Sequence, residues 1–138
     1  MQILKEKSRA KSQITFDEDF NVPDAKPDAG RLIQNKGRII MDDVRLTDGK
    51  GILTGNLQVD ILYVGEERGI VSSLTAKLPF EETLNLKNII NGDKMCLKWE
   101  IEDLTIRLIH SRKLNIKALV TFCATVDETE QIRLPVVL

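Results

Sequence analysis

The chain has 138 residues, with 20 lysines and arginines against 21 aspartates and glutamates, for a formal net charge of -1. That balance, with aromatics at only 4%, argues against a dedicated nucleic-acid binder, which would carry a basic patch or rings for stacking bases. A hydrophobic content of 42% and a charged content of 30% exclude a disordered chain and suit one domain with its own core.

The first residues, MQILKEKSRAKS, are basic but have no apolar run behind them, so no secretory signal is read there. Residues 1–12 are expected to form a flexible N-terminal arm. No stretch approaches the roughly 20 apolar residues that span a bilayer, and the expected compartment is the cytoplasm. Ile14, Phe16, Phe20 and Val22 then read as a first strand broken by Asp17, Glu18 and Asp19.

The run FDEDFNVPDAKPDAGR, residues 16–31, packs four aspartates, a glutamate and two prolines together. Pro23 is expected to end the first strand and Asp24 to organise a turn, with Pro27 fixing the backbone behind it. Asp28 reads as the N-cap of one short helix over residues 28–36, stopped by Gly37.

Downstream the periodicity is that of strands. In GILTGNLQVDILYVG, Leu53, Leu57, Val59, Ile61 and Tyr63 alternate with polar residues, which gives one buried face. Asp48-Gly49 marks a hairpin before this strand. Residues 65–69 turn into a strand with Leu74, Ala76, Leu78 and Phe80 inward, and Asn91-Gly92-Asp93 opens the next. That next strand places Met95, Leu97, Trp99 and Ile101 inward, then changes phase at Asp103 so that Leu104, Ile106 and Leu108 take over. A one-residue slip turns every side chain over, so a bulge is expected there. After a turn at His110-Ser111-Arg112, the last strong strand buries Leu114, Ile116, Ala118, Val120, Phe122, Ala124 and Val126. The sum is an all-β fold, an antiparallel, Greek-key-like β-sandwich over residues 13–127, with residues 128–138 as a tail or linker.

Candidate chemistry is sparse. Asp17, Asp19, Asp24 and Asp28 lack the spacing of a calcium loop, and no metal or cofactor is expected. The single histidine, His110, sits beside Ser111 in a turn, where a nucleophile and its oriented base rarely meet. Asp42-Asp43 and Glu100–Glu102 are the carboxylate pairs on offer; Glu100 and Glu102 share one strand face, as solvated charges do, and no catalytic residue is assigned. Gly49-Lys50-Gly51 precedes a strand and is not a phosphate loop. Cys96 and Cys123 lie out of phase with the apolar faces and are expected to be reduced and structural. They can cross-link only with Cα atoms within about 7 Å.

Four segments, FNVPDAKPDAGRLIQNKGRI, GILTGNLQVDILYVGEE, LPFEETLNL and IEDLTIRLIHSRKLNIKALV, together resemble the SPOCS domain. This is the repeat of SipL-like spore-coat morphogenesis proteins of clostridia. The resemblance covers most of the chain, to Val126, and its VPD-x-KPD core is the specific part. It implies a non-enzymatic adaptor of spore-coat assembly at the forespore surface, with the stage IV coat-basement ATPase as partner. Separately, the basic N-terminal segment ILKEKSRAKSQITF could add a strand to its own sheet or to a neighbour's, and repeated head-to-tail such a contact builds homo-oligomers or filaments. SipL-like proteins commonly carry several SPOCS repeats and a LysM module, whereas this chain has the length of one repeat. The resemblance implies Pro23, Asp24, Pro27 and Asp28 as identifiers of the fold, not reagents. The alternatives are a carbohydrate-binding β-sandwich, disfavoured because Trp99 and Tyr63 are in phase with the buried face, and a small enzyme using Asp24, Asp28 or the Glu100–Glu102 pair.

Overall fold

The computed structural model describes residues 2–47, 49–86 and 94–131. Six strands follow one another: β1 (Gln2–Asn21), β2 (Ala29–Thr47), β3 (Lys50–Gly65), β4 (Val71–Asn85), β5 (Lys94–His110) and β6 (Lys113–Gln131). They form two three-stranded sheets with orders β1-β6-β5 and β2-β3-β4, and every pairing is antiparallel. β1 lies against β4 and β2 against β5 across the sandwich.

The two central strands supply the core because each has a neighbour on both sides and one face turned inward. β3 buries Leu53, Leu57, Val59, Ile61 and Tyr63, each 0–1% exposed. Opposite, β6 buries Leu114, Ile116, Ala118, Val120, Phe122, Ala124 and Val126, and β4 adds Leu74, Ala76, Leu78 and Phe80. Burying a side chain of the size of leucine or phenylalanine is worth about 1.5–3 kcal/mol. Three phenylalanines join the sheets: Phe16 of β1 meets Phe80 of β4 edge-on at 6.1 Å, and Phe80 meets Phe122 of β6 at 5.3 Å.

The change of phase at Asp103 is a bulge. Ile101 pairs with Val120 and Asp103 with Leu119, leaving Glu102 as the extra residue. Gly49, at φ 73°, turns β2 into β3, with Thr47 paired to Lys50. The expected turn at Asn91-Gly92-Asp93 lies outside the described residues.

Three expectations are corrected. The segment read as a helix over residues 28–36 is the start of β2, and the described residues contain no helix. Register shifts at Ala29/Arg31 and Leu32/Gln34 insert one extra residue each, and they erase the two-residue alternation that would have marked a strand. The expected flexible arm is, from Gln2 onward, the first half of β1, paired along its length with β6. Nor do Asp17, Glu18 and Asp19 break β1: they pair in register with Lys117, Ile116 and Asn115.

Gly55 of β3, paired with Met41, has no room for a side chain. A Cβ there would strike the Ile40 carbonyl oxygen and stand 3.1 Å from the Phe80 ring. Backbone must move to admit it. Gly55→Ala is therefore expected to destabilise the fold by about 1–3 kcal/mol, read as a lower urea midpoint at unchanged slope.

Candidate functional site

The chain crosses from one sheet to the other between Asn21 and Ala29, through the VPDAKPD loop. Arg112, at the β5–β6 turn, fastens that loop. Its Nη1 donates to the Lys26 carbonyl oxygen at 2.7 Å and to Asp28 Oδ1 at 3.0 Å. Its Nη2 donates to the carbonyl oxygens of Val22 at 3.0 Å and Pro23 at 2.9 Å. A planar guanidinium can serve four acceptors at once because its donors point outward in a fixed fork.

Backbone bonds flank the fork. The Val22 N–H donates to the Arg112 carbonyl and the Ala29 N–H to that of Ser111, both at 2.8 Å. The second sheet joins in through the Tyr63 hydroxyl, which donates to the Pro27 carbonyl at 2.9 Å, and through the Glu66 N–H, which donates to that of Asp28 at 2.8 Å. Pro23, Asp24, Pro27 and Asp28 are thus brought together in one loop. Pro23 accepts the Lys26 N–H at 2.9 Å in a turn. Asp24 Oδ1 stands 3.9 Å from Arg112. Asp28 caps no helix; its carboxylate is the ionic partner of Arg112.

The remaining candidates are held in structural contacts. His110 Nδ1 accepts the Arg112 N–H at 3.1 Å, within the turn. Asp42 accepts from Asn56 at 3.0 Å and Asp43 pairs with Arg45 at 3.3 Å. Glu100 faces Thr121, and Glu102 is the bulge residue; both are exposed. Cys96 and Cys123 are free thiols, opposite Thr125 and Lys98 respectively. Among the described residues, every buried side-chain nitrogen or oxygen has a partner, and no three carboxylates, histidines or cysteines cluster as metal ligands.

The two open sides of the sandwich differ. Where β1 meets β4, the inward-facing Glu82 accepts the Ser12 hydroxyl at 2.8 Å and closes the seam with a polar contact. On the β2/β5 side, Ile33, Ile40, Val44, Trp99 and Ile109 are exposed, five of the seven large hydrophobic side chains so placed among the described residues. The other two, Ile70 and Val71, lie at the β3–β4 turn. Trp99 corrects an expectation: it shares the inward face with Phe122 across the ladder, yet it is 42% exposed because β5 is an edge strand.

A family model described as SipL, SPOCS domain matches residues 28–109, more than half of the chain. The chain belongs to this SPOCS-domain family. The match starts at Asp28, the last residue of the clasped loop, and runs through β2, β3 and β4 almost to the end of β5. Comparison with curated proteins and with solved structures returned no match. Membership points to a sporulation-related protein-interaction module. Among the described residues of this SPOCS domain, no helix is long and apolar enough to cross a membrane.

Two outcomes are expected of the SPOCS loop. Arg112→Ala strands three loop carbonyls and is expected to cost about 2–3 kcal/mol. Arg112→Lys should recover little of it, since one ammonium cannot replace the fork. Asp28→Ala removes only a half-exposed ion pair and should cost under about 1 kcal/mol. Equilibrium denaturation ranks the three. The second outcome concerns Asp19, whose Oδ1 accepts from Asn115 at 3.0 Å while Lys113 Nζ stands 3.5 Å from its Oδ2. The Asn115 hydrogen bond first, and the Lys113 charge after it, hold this carboxyl below the usual carboxylate range. A depressed folded value adds stability above the ordinary carboxylate pKa, lost as pH falls through the folded one. In Asn115→Ala the Asp19 midpoint should move up, as read by carboxyl-carbon NMR titration.

Proposed function

We propose that this SPOCS domain is a non-enzymatic interaction module of bacterial spore-coat assembly. It works in the mother-cell cytoplasm at the forespore surface, as an adaptor or a self-assembling subunit. The observation that carries this reading is the uneven distribution of exposed apolar side chains: one side of the sandwich is sealed by Ser12 and Glu82, and the other presents Ile33, Ile40, Val44, Trp99 and Ile109. Exposed apolar groups beside strand edges are a usual ground for strand addition by a protein partner, in which main-chain hydrogen bonds give affinity and side-chain pockets give specificity.

The partner that fits the family is the stage IV coat-basement ATPase. Carbohydrate binding is the second reading, and it gains one observation, the exposed ring of Trp99. Tyr63 offers no second platform, being fully buried with its hydroxyl on Pro27.

The test pairs direct binding with location. The purified chain should bind the purified ATPase, and a fluorescent fusion should encircle the forespore in sporulating cells. No binding together with diffuse fluorescence throughout sporulation would overturn the coat reading. Selective glycan-array binding abolished by Trp99→Ala would move the assignment to carbohydrate.

A further inference from the structure

The four edge strands are not equally protected against pairing with another chain. Natural sheets blunt their edges with bulges, prolines and inward-pointing or clustered charges. β1 has a register shift between Glu6 and Ser8 and exposes Lys11, Asp17, Glu18 and Asp19. β2 has three register shifts, and β4 carries Pro79 together with the inward Glu82. β5 has its two shifts late, after Ile101 and after Leu108. From Lys94 to Ile101 it pairs with β6 in unbroken register, from Asp127 to Val120. Among the described residues, no strand pairs with its other edge.

This unprotected run is self-complementary. It reads Leu97-Lys98-Trp99-Glu100-Ile101, an apolar residue, a cation, the tryptophan, an anion and an apolar residue. Paired antiparallel with itself about Trp99, the run sets each Lys98 opposite Glu100 of the second copy, twice by symmetry. Leu97 then meets Ile101, and the two Trp99 rings meet at the axis. Parallel pairing would instead stack lysine on lysine and glutamate on glutamate. Opposite charges facing across a ladder stabilise it and like charges destabilise it, so the pattern selects one orientation.

The side chains are placed to be used in this way. Lys98 and Glu100 are exposed on the outer face. On the inner face Met95, Leu97 and Ile101 pack against the core, whereas Trp99, between them, is left out of it. We propose that the edge of β5 from Lys94 to Ile101 is a docking site for a second copy of this chain, strand to strand, about a two-fold axis at Trp99. The two sheets then join into one six-stranded sheet, and the contact is isologous and closes at two copies. This deepens the interaction reading above by naming the edge and its occupant, and it does not depend on the coat ATPase.

The experiment follows the mass and the one tryptophan together. Light scattering of the full chain should rise from 15.6 kDa toward twice that value with concentration. The emission of Trp99, the only tryptophan, should shift to the blue over the same range. K98E and E100K each turn two attractive pairs repulsive and should weaken self-association by roughly tenfold or more. Mixed in equal amounts, K98E and E100K again face opposite charges at both positions, so a heterodimer should return. A wild-type chain that stays monomeric with unchanged emission overturns the proposal, as does a dimer indifferent to both reversals or a mixture that fails to recover. Binding of monomeric K98E to the purified coat ATPase is scored separately: loss of the dimer with retained ATPase binding sinks only the function that self-association would serve, not the coat reading.

Discussion

The fold hangs on the fastening of one seven-residue crossing by one guanidinium. Six long strands in two sheets make a sandwich only if the chain can leave β1 and enter β2 on the opposite layer. A crossing loop carries its own backbone polar groups, and left unpaired near the core these would be costly. Arg112 answers three of the loop carbonyls and one carboxylate from a single residue. The same turn contributes the carbonyls of Ser111 and Arg112 to the N–H groups of Ala29 and Val22. The β5–β6 turn and the β1–β2 loop therefore form one unit, and Tyr63 ties that unit to β3. Prolines at 23 and 27 restrict the loop before it is fastened, which lowers the entropy lost in ordering it.

The matched part of the chain ends short of what the architecture requires. Residues 28–109 contain one whole sheet, β2-β3-β4, and most of β5. They omit β1 and β6, and β6 is the strand between β1 and β5. It is also the strand that buries Phe122, Val120 and Ile116 against β3 and β4. Without β6 the inner faces of β3 and β4 would stand open to water. The flanking strands are thus part of the same domain, and the pairing of Gln2–Asn21 with Lys113–Gln131 brings the two ends of the described chain side by side.

Legibility in the sequence followed the regularity of the ladder. β3, β4 and β6 keep strict alternation, and their buried residues can be named from the pattern alone. Even the bulge at Glu102 shows, because the apolar set changes from odd to even numbers across it. β2 hid for the opposite reason: its register shifts put Leu32 and Ile33 side by side and leave Gly37 on the inner face. Gly37 is there because β2 closes on β5, where a Cβ would come within 2.9 Å of Leu104. In sequence the same residues spell a capped short helix. The first half of β1 hid because it is a polar edge whose partners, from Phe122 onward, lie 110 or more positions later, and the pairing of distant segments leaves no local signal. Arg112 escaped for the same reason, being 84 residues from Asp28. Its one trace was an arginine in a turn of a chain with an acidic loop elsewhere. Trp99 was placed on the correct face; only its position at an edge, which needs the sheet order, exposes it.

Closing one side of the sandwich with a polar contact while the other exposes apolar side chains has a consequence for assembly. An isologous pairing at β5 uses that edge completely, so it yields pairs and nothing larger. A filament or a coat layer would need a second, different contact on each copy. Besides Ile40 and Val44 further along β2, four exposed apolar groups lie apart from the β5 run: Ile33 at a β2 bulge, Ile70 and Val71 at the β3–β4 turn, and Ile109 at the late β5 bulge. These four lie at the end of the sandwich that holds the Arg112 clasp, since Ala29 pairs with Gly65 and His110 with Lys113 at that end. Bulges and turns resist strand addition, so a contact there would be made by side chains and not by ladder hydrogen bonds. Two physically distinct surfaces on one small domain, a regular edge that closes on itself and an irregular apolar end fixed by the clasp, are what an interaction module needs in order to pair with its own kind and still hold something else.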